Sequence, residues 1–125
     1  GLRNAPIFCP IVADYYSGMV MSVPVYTDML NKAKTPEEIH KMFSEFYAGQ
    51  KFVKVMPLDA EAGEGNMLAG NGCSGWDGLK IFITGNEDRV VLSSQFDNLG
   101  KGASGAAIQC LNIVMGCAED KGLQL

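Results

Sequence analysis

The chain has 125 residues, 47% of them hydrophobic and 19% charged, which fits one globular domain and excludes a disordered chain. Its net charge of -4, with no basic stripe, argues against nucleic acid or a membrane surface as a partner, because neither attracts an acidic protein. No apolar run approaches the ~20 residues that span a bilayer, and Gly1–Pro6 lacks the charged-then-apolar order of a signal peptide, so the leading Gly1 reads as a processed or internal start.

Ile7 to Ile11, broken by Pro6 and Pro10, reads as an extended approach. Gly18 to Tyr26 is the first strand, rich in apolar and β-branched residues, and Pro24 puts it at an edge or a bulge. Asp28 to Lys34 is a turn or a ragged helix. Thr35-Pro36-Glu37-Glu38 then announces a helix: Thr35 caps, Pro36 takes the first helical position and Glu38 closes a capping box. Ile39, Met42, Phe43 and Phe46 follow at helical spacing and predict one buried face, ended by Gly49. His40 falls on the opposite face from Phe43 and is expected at the surface, without the orienting partner that base chemistry needs.

Phe52 to Met56 alternates as a short strand and stops at Pro57. From Asp59 to Gly78 the chain is rich in Gly, Asn, Ser and acidic residues, with a brief strand expected at Met67 to Ala69. Asp59, Glu61 and Glu64 lack calcium-loop spacing and read as a solvated acidic loop, with Trp76 as its anchor. Gly78 to Thr84 and Arg89 to Phe96 are the clearest strands, joined by the hairpin turn Gly85-Asn86-Glu87-Asp88. Leu79, Ile81 and Ile83 share one face; Lys80, Phe82 and Thr84 share the other, which no helix evidently covers. Ala103 to Met115 predicts a helix with an apolar stripe of Ala106, Ala107, Cys110, Leu111, Val114 and Met115, closed by Gly116. The order strand, helix, strand, loop, strand, strand, helix gives an α+β domain, mostly antiparallel, with helices on one face.

Cys9, Cys73, Cys110 and Cys117 show no C-x-x-C pair, and His40 is the only histidine, so no metal site is expected and the cysteines read as reduced and cytoplasmic. Cys110 is assigned to core packing. Cys9, ahead of Pro10, lacks a histidine at a recognisable motif and is read as packing too.

The segment Asp97-Asn98-Leu99-Gly100-Lys101-Gly102-Ala103-Ser104-Gly105 joins a strand to a helix. Its glycines allow close backbone approach, while the helix start and Lys101 favour an anion or a carboxamide. The spacing is neither a P-loop nor G-x-G-x-x-G, so residue chemistry leaves two readings: a ligand-holding turn, or a plain strand-to-helix turn.

Residues Phe96 to Gly116 resemble the carboxy-terminal signature D-N-L-x-K-G-A-x-G-x-A-x-Q-x-x-N of the N-acetyl-gamma-glutamyl-phosphate reductase family of arginine biosynthesis. Asp97, Asn98, Leu99, Lys101, Gly102, Ala103, Gly105, Ala107, Gln109 and Asn112 carry the match. Upstream, the Thr35–Tyr47 helix, the Phe52-Val53-Lys54-Val55-Met56-Pro57 strand and Ser17-Gly18-Met19 are similar as well. The resemblance implies an oxidoreductase of amino-acid biosynthesis in the cytoplasm. Such an enzyme uses NADP and a cysteine thioester to reduce an acyl phosphate to a semialdehyde. It also implies that residues 1–125 form the dimerisation domain, similar to the carboxy-terminal domain of glyceraldehyde-3-phosphate dehydrogenase. The final helix, 103–116, would return towards an NADP-binding domain outside this sequence. Asn98, Leu99, Lys101, Gly102 and Ala103 would then border the cofactor, and the sheet face would carry homo-oligomer contacts. The family's N-P-G-C and H-R-H motifs are missing, and Val12-Ala13-Asp14-Tyr15-Tyr16-Ser17 stands where some members carry His and Arg, so no catalytic residue is assigned and the chain alone is expected to be inactive. A non-enzymatic oligomerisation module of the same fold is the alternative.

Overall fold

The computed structural model describes residues 5–58 and 67–125. Strand β1 (Met19–Tyr26) leads through a 3-10 turn at Thr27–Met29 to helix α1 (Pro36–Phe46). Strands β2 (Val53–Val55), β3 (Leu79–Gly85) and β4 (Arg89–Phe96) follow. A π-helical turn at Gly100–Ser104 then opens helix α2 (Gly105–Val114). The sheet order is β1-β4-β3-β2. β1 and β3 both pair antiparallel with β4, while β2 pairs parallel with β3, because the long connection between them lets the chain cross back in the same direction. Pro24 sits on the edge strand β1, where its missing N–H costs no ladder bond.

Local signals fix the elements. The Thr35 hydroxyl accepts from the Glu38 N–H, and the Glu38 carboxylate accepts from the Thr35 N–H, which closes the capping box. Asn86 turns the hairpin by accepting from the N–H groups of Asp88 and Arg89 at 3.0 and 3.1 Å. Ile39 from α1 packs on Ile81, Ile83 and Val90, and these four form the buried core. They lie on the sheet face that also carries Met21, Val23 and Leu92.

Several expectations need correction. Residues 67–69 form no strand, and Asp59, Glu61 and Glu64 lie outside the described residues. In α1 only Ile39 is fully buried: the helix covers β2 and β3 but stops short of β1, leaving Phe46 77% exposed and Met42 45% exposed. His40 is half-buried beside β2, its Nε2 3.0 Å from the carbonyl oxygen of Met56. Phe82 is buried, so the uncovered apolar surface is not the one expected. It lies instead on the α1 side, where Met21, Val23, Leu92, Phe43 and Tyr47 border an open groove of about 230 Å³.

α2 also departs from expectation. It projects from the end of the sheet rather than lying on it. Its apolar side is open, with Cys110 and Leu111 exposed and Val114 82% exposed, so Cys110 is no core residue. The helix is held by its polar side: buried Asn112 donates to the carbonyls of Glu119 and Lys121, binding the tail back against the helix. The Asp77 N–H then donates to the Gln124 carbonyl, the Gln124 N–H donates to the Asp77 carboxylate, and Lys51 reaches Asp120 at 2.8 Å.

Candidate functional site

The strand-to-helix turn is built around one carboxylate. Asp97 is 4% exposed and stands at the end of β4. Its Oδ1 accepts from the N–H groups of Leu99 (2.8 Å) and Gly100 (3.2 Å), which bends the chain out of the strand. Its Oδ2 accepts from the Gly75 N–H (2.6 Å) and the Ser17 hydroxyl (3.2 Å). Burial alone would raise this carboxyl, but the three backbone N–H groups and the hydroxyl outweigh it, and the net shift is below the usual carboxylate value. One side chain therefore ties three segments together: the entry to β1, the loop before β3 and the turn.

The same three segments interlock elsewhere. The Ser74 hydroxyl donates to the Ser17 carbonyl at 2.6 Å, and the Gly18 N–H donates to Asn98 Oδ1 at 2.7 Å. Gly18 has φ +123°, and a Cβ there would stand 2.3 Å from the Gly70 carbonyl oxygen, so only glycine permits this crossing. On β4, Gln95 donates to the Ala69 carbonyl and accepts from the Cys73 thiol, which lays the 69–77 loop over the face opposite the core. Burial pushes the Cys73 thiol up, with Lys80 opposing, so Cys73 is a poor nucleophile at neutral pH. Among the described residues no group of His, Cys, Asp and Glu side chains could hold a metal ion.

The five residues assigned to the cofactor all lie in or beside this turn, in two orientations. Leu99, Gly102 and Ala103 are exposed on its outer surface. Asn98 commits its carbonyl oxygen to Gly18, and Lys101 turns inward: its Nζ lies 4.9 Å from the centre of the Phe52 ring and donates to Gln109. A Cβ at Gly102 would meet the Phe96 ring at 3.1 Å, so this glycine also serves the packing of the turn itself. The roles of Asp97, Ser17 and Gly75 in building the turn were missed in the sequence. Nothing in their spacing announces a bond between residues 80 or 22 positions apart. Cys9 is exposed, on a segment without regular structure.

The sequence of the chain is similar to those of known proteins. Nearly the whole chain (98%) aligns with N-acetyl-gamma-glutamyl-phosphate reductase 2 of Nostoc sp. at 38% identity, and with the N-acetyl-gamma-glutamyl-phosphate reductase of Trichormus variabilis at 36%. The reductase of Brucella ovis is 39% identical over 92% of the chain. The chain spans only 37 to 39% of the length of these relatives. Residues 1–98 match the family described as semialdehyde dehydrogenase, dimerisation domain, a match that ends inside the turn at Asn98. This chain, with its mixed four-stranded sheet and its Asp97-centred turn, belongs to the semialdehyde dehydrogenase dimerisation-domain family.

Proposed function

We propose that the chain is the dimerisation-domain part of an NADP-dependent N-acetyl-gamma-glutamyl-phosphate reductase acting in cytoplasmic arginine biosynthesis. The observation that carries this reading is the rigid Asp97 turn, together with the reductase relatives that align across it. Leu99, Gly102 and Ala103 offer a backbone and apolar wall on which a nicotinamide ring can lie. Asn98, steadied by Gly18, is assigned to the carboxamide. Lys101 supports the wall from behind through Phe52 and Gln109 rather than by contact with phosphate. The cofactor, when bound, supplies the hydride; this chain contributes orientation and exclusion of water on one side.

The exposed apolar side of α2 suits packing against a second domain, and the groove beside Met21 and Val23 suits contact with another copy of the chain. Among the described residues no activated nucleophile stands out in this reading: burial suppresses Cys73, and Cys9 lies exposed on a segment without regular structure. Supplied with N-acetylglutamate semialdehyde, NADP and phosphate, the isolated chain is expected to show no turnover. Activity above background would overturn that assignment. In the complete reductase, Asn98→Ala is expected to raise the KM for NADPH several-fold with a smaller change in kcat, and an unchanged KM would remove Asn98 from the cofactor site.

A further inference from the structure

The sheet face opposite the core carries a second charged feature that the turn does not use. In the register of β2 and β3, Lys54 is the partner of Lys80, and Lys80 is in turn the partner of Gln95 on β4. Paired residues of adjacent strands project to the same side, about 5 Å apart at the backbone, so the two lysine side chains leave the sheet side by side. Like charges set directly opposite each other oppose sheet formation unless something offsets them. Among the described residues the ion pairs are Lys41–Glu45 and Lys51–Asp120; neither Lys54 nor Lys80 meets a carboxylate. Both lie against one aromatic ring instead: Lys54 Nζ is 4.9 Å and Lys80 Nζ 5.8 Å from the centre of Trp76.

That ring is held firmly. Trp76 follows Gly75, whose N–H is bound by Asp97, and precedes Asp77, which is tied to Gln124. The loop under it is fixed to β4 by Gln95. The lysine stems therefore rest on a surface that the fold has already ordered, which lowers the entropy lost when their heads close on a ligand. Among the described residues, two lysines without a carboxylate partner on a chain of net charge -4 make a local excess of positive charge, which attracts an anion. Two ammonium groups offer six donors and no acceptor, which suits a doubly charged ligand with several oxygens better than a single carboxylate.

We propose that Lys54, Lys80 and Trp76 form a binding site for a tetrahedral oxyanion, either free phosphate or the phosphoryl end of a larger molecule. The site stands on its own geometry, independent of the reading of the 97–105 turn.

Trp76 is the only tryptophan, so its fluorescence reports this site alone. The 125-residue chain is titrated with sodium phosphate, sulfate, acetyl phosphate and a short polyglutamate peptide, at ionic strength held constant with chloride. A saturable change in Trp76 emission with phosphate and sulfate, absent with chloride, is expected. Lys54→Met and Lys80→Met should each weaken binding at least tenfold, while Lys54→Arg and Lys80→Arg retain it within a few-fold. Tighter binding of acetyl phosphate than of phosphate identifies the phosphoryl end of a larger ligand as the source; the reverse identifies the free ion. The proposal is overturned by a response that chloride reproduces, by a change that never saturates, or by at least tenfold tighter binding of polyglutamate, which would mean an acidic protein partner. Should a methionine variant fail to fold, the wild-type titration and the arginine variants still decide, since loss of binding in both folded arginine variants also overturns the proposal.

Discussion

Asp97→Asn isolates the charge at the centre of the turn. The substitution keeps the shape of the side chain but replaces one acceptor oxygen by an NH2 group. In the native fold four donors converge on the carboxylate, two on each oxygen. An amide can serve the Leu99 and Gly100 N–H groups or the Gly75 N–H and Ser17 hydroxyl, but not both pairs. Its NH2 then faces donors; the Ser17 hydroxyl can rotate, while the Gly75 N–H cannot. A hydrogen bond to a charged group contributes about 1.5–3 kcal/mol net, and a stranded buried donor costs about 1–3 kcal/mol. With partial relaxation, about 3 kcal/mol of destabilisation at pH 7 is expected. That is a large share of the ~5–15 kcal/mol typical of a domain.

The acid limb separates the charge from the shape. The folded Asp97 carboxyl lies below its unfolded value of about 3.9. Its contribution is therefore fully present above pH 4 to 5 and is lost as pH falls through the folded value. The Asn variant has no such titration. Urea unfolding followed by circular dichroism at pH 7, 5, 4 and 3 should show a gap between wild type and variant that is constant down to about pH 5 and narrows below it. A gap under about 0.5 kcal/mol at pH 7, or one that stays constant into acid, would refute Asp97 as the organiser of the turn.

Three other changes test separate links. Gly18→Ala forces a Cβ into the Gly70 carbonyl at a positive φ, so a loss of at least ~2 kcal/mol is expected in the same urea assay; a wild-type midpoint would mean the crossing can open freely. Thr35→Ala removes the α1 cap and should cost about 1 kcal/mol, with Thr35→Ser restoring most of it; equal losses in both variants would assign the effect to the lost methyl instead. Val23→Asp places a charge in the groove beside β1, where Val23 is 47% exposed. Sedimentation should show weaker self-association with little change in unfolding midpoint, and undiminished association would move the contact to another face.

The elements themselves were largely legible because their signals are local. The capping box at Thr35, the edge proline at Pro24 and the Asn86 turn each act within four residues, and each stands where its chemistry put it. The parallel pairing of β2 was not legible, since alternation in Phe52 to Met56 says which residues share a face but not which strand lies beside it. Burial was read least well. The apolar spacing of α1 and α2 predicted covered faces, but spacing reports what a helix can bury, not whether a neighbour is present. Phe46 and Val114 are exposed for that reason, and Phe82 was misread in the opposite sense.

The turn shows where that boundary falls. Its glycines and Lys101 suggested a cradle with a positive head pointing outward. In the fold the positive head points inward, and the negative charge that shapes the turn belongs to Asp97, the first residue after the strand. The partners that decide this, Ser17 and Gly75, come from distant parts of the chain and are brought in by the antiparallel pairing of β1 with β4 and by the loop over Gln95. The motif Asp97 to Asn112 is thus two devices in succession: a carboxylate knot that fixes the geometry of the strand end, and an apolar helix whose outer side is uncovered among the described residues. The first is complete in these 125 residues and can be tested by stability alone. The exposed apolar residues of α2 should tolerate polar substitution in this chain far better than Asp97 tolerates loss of its charge.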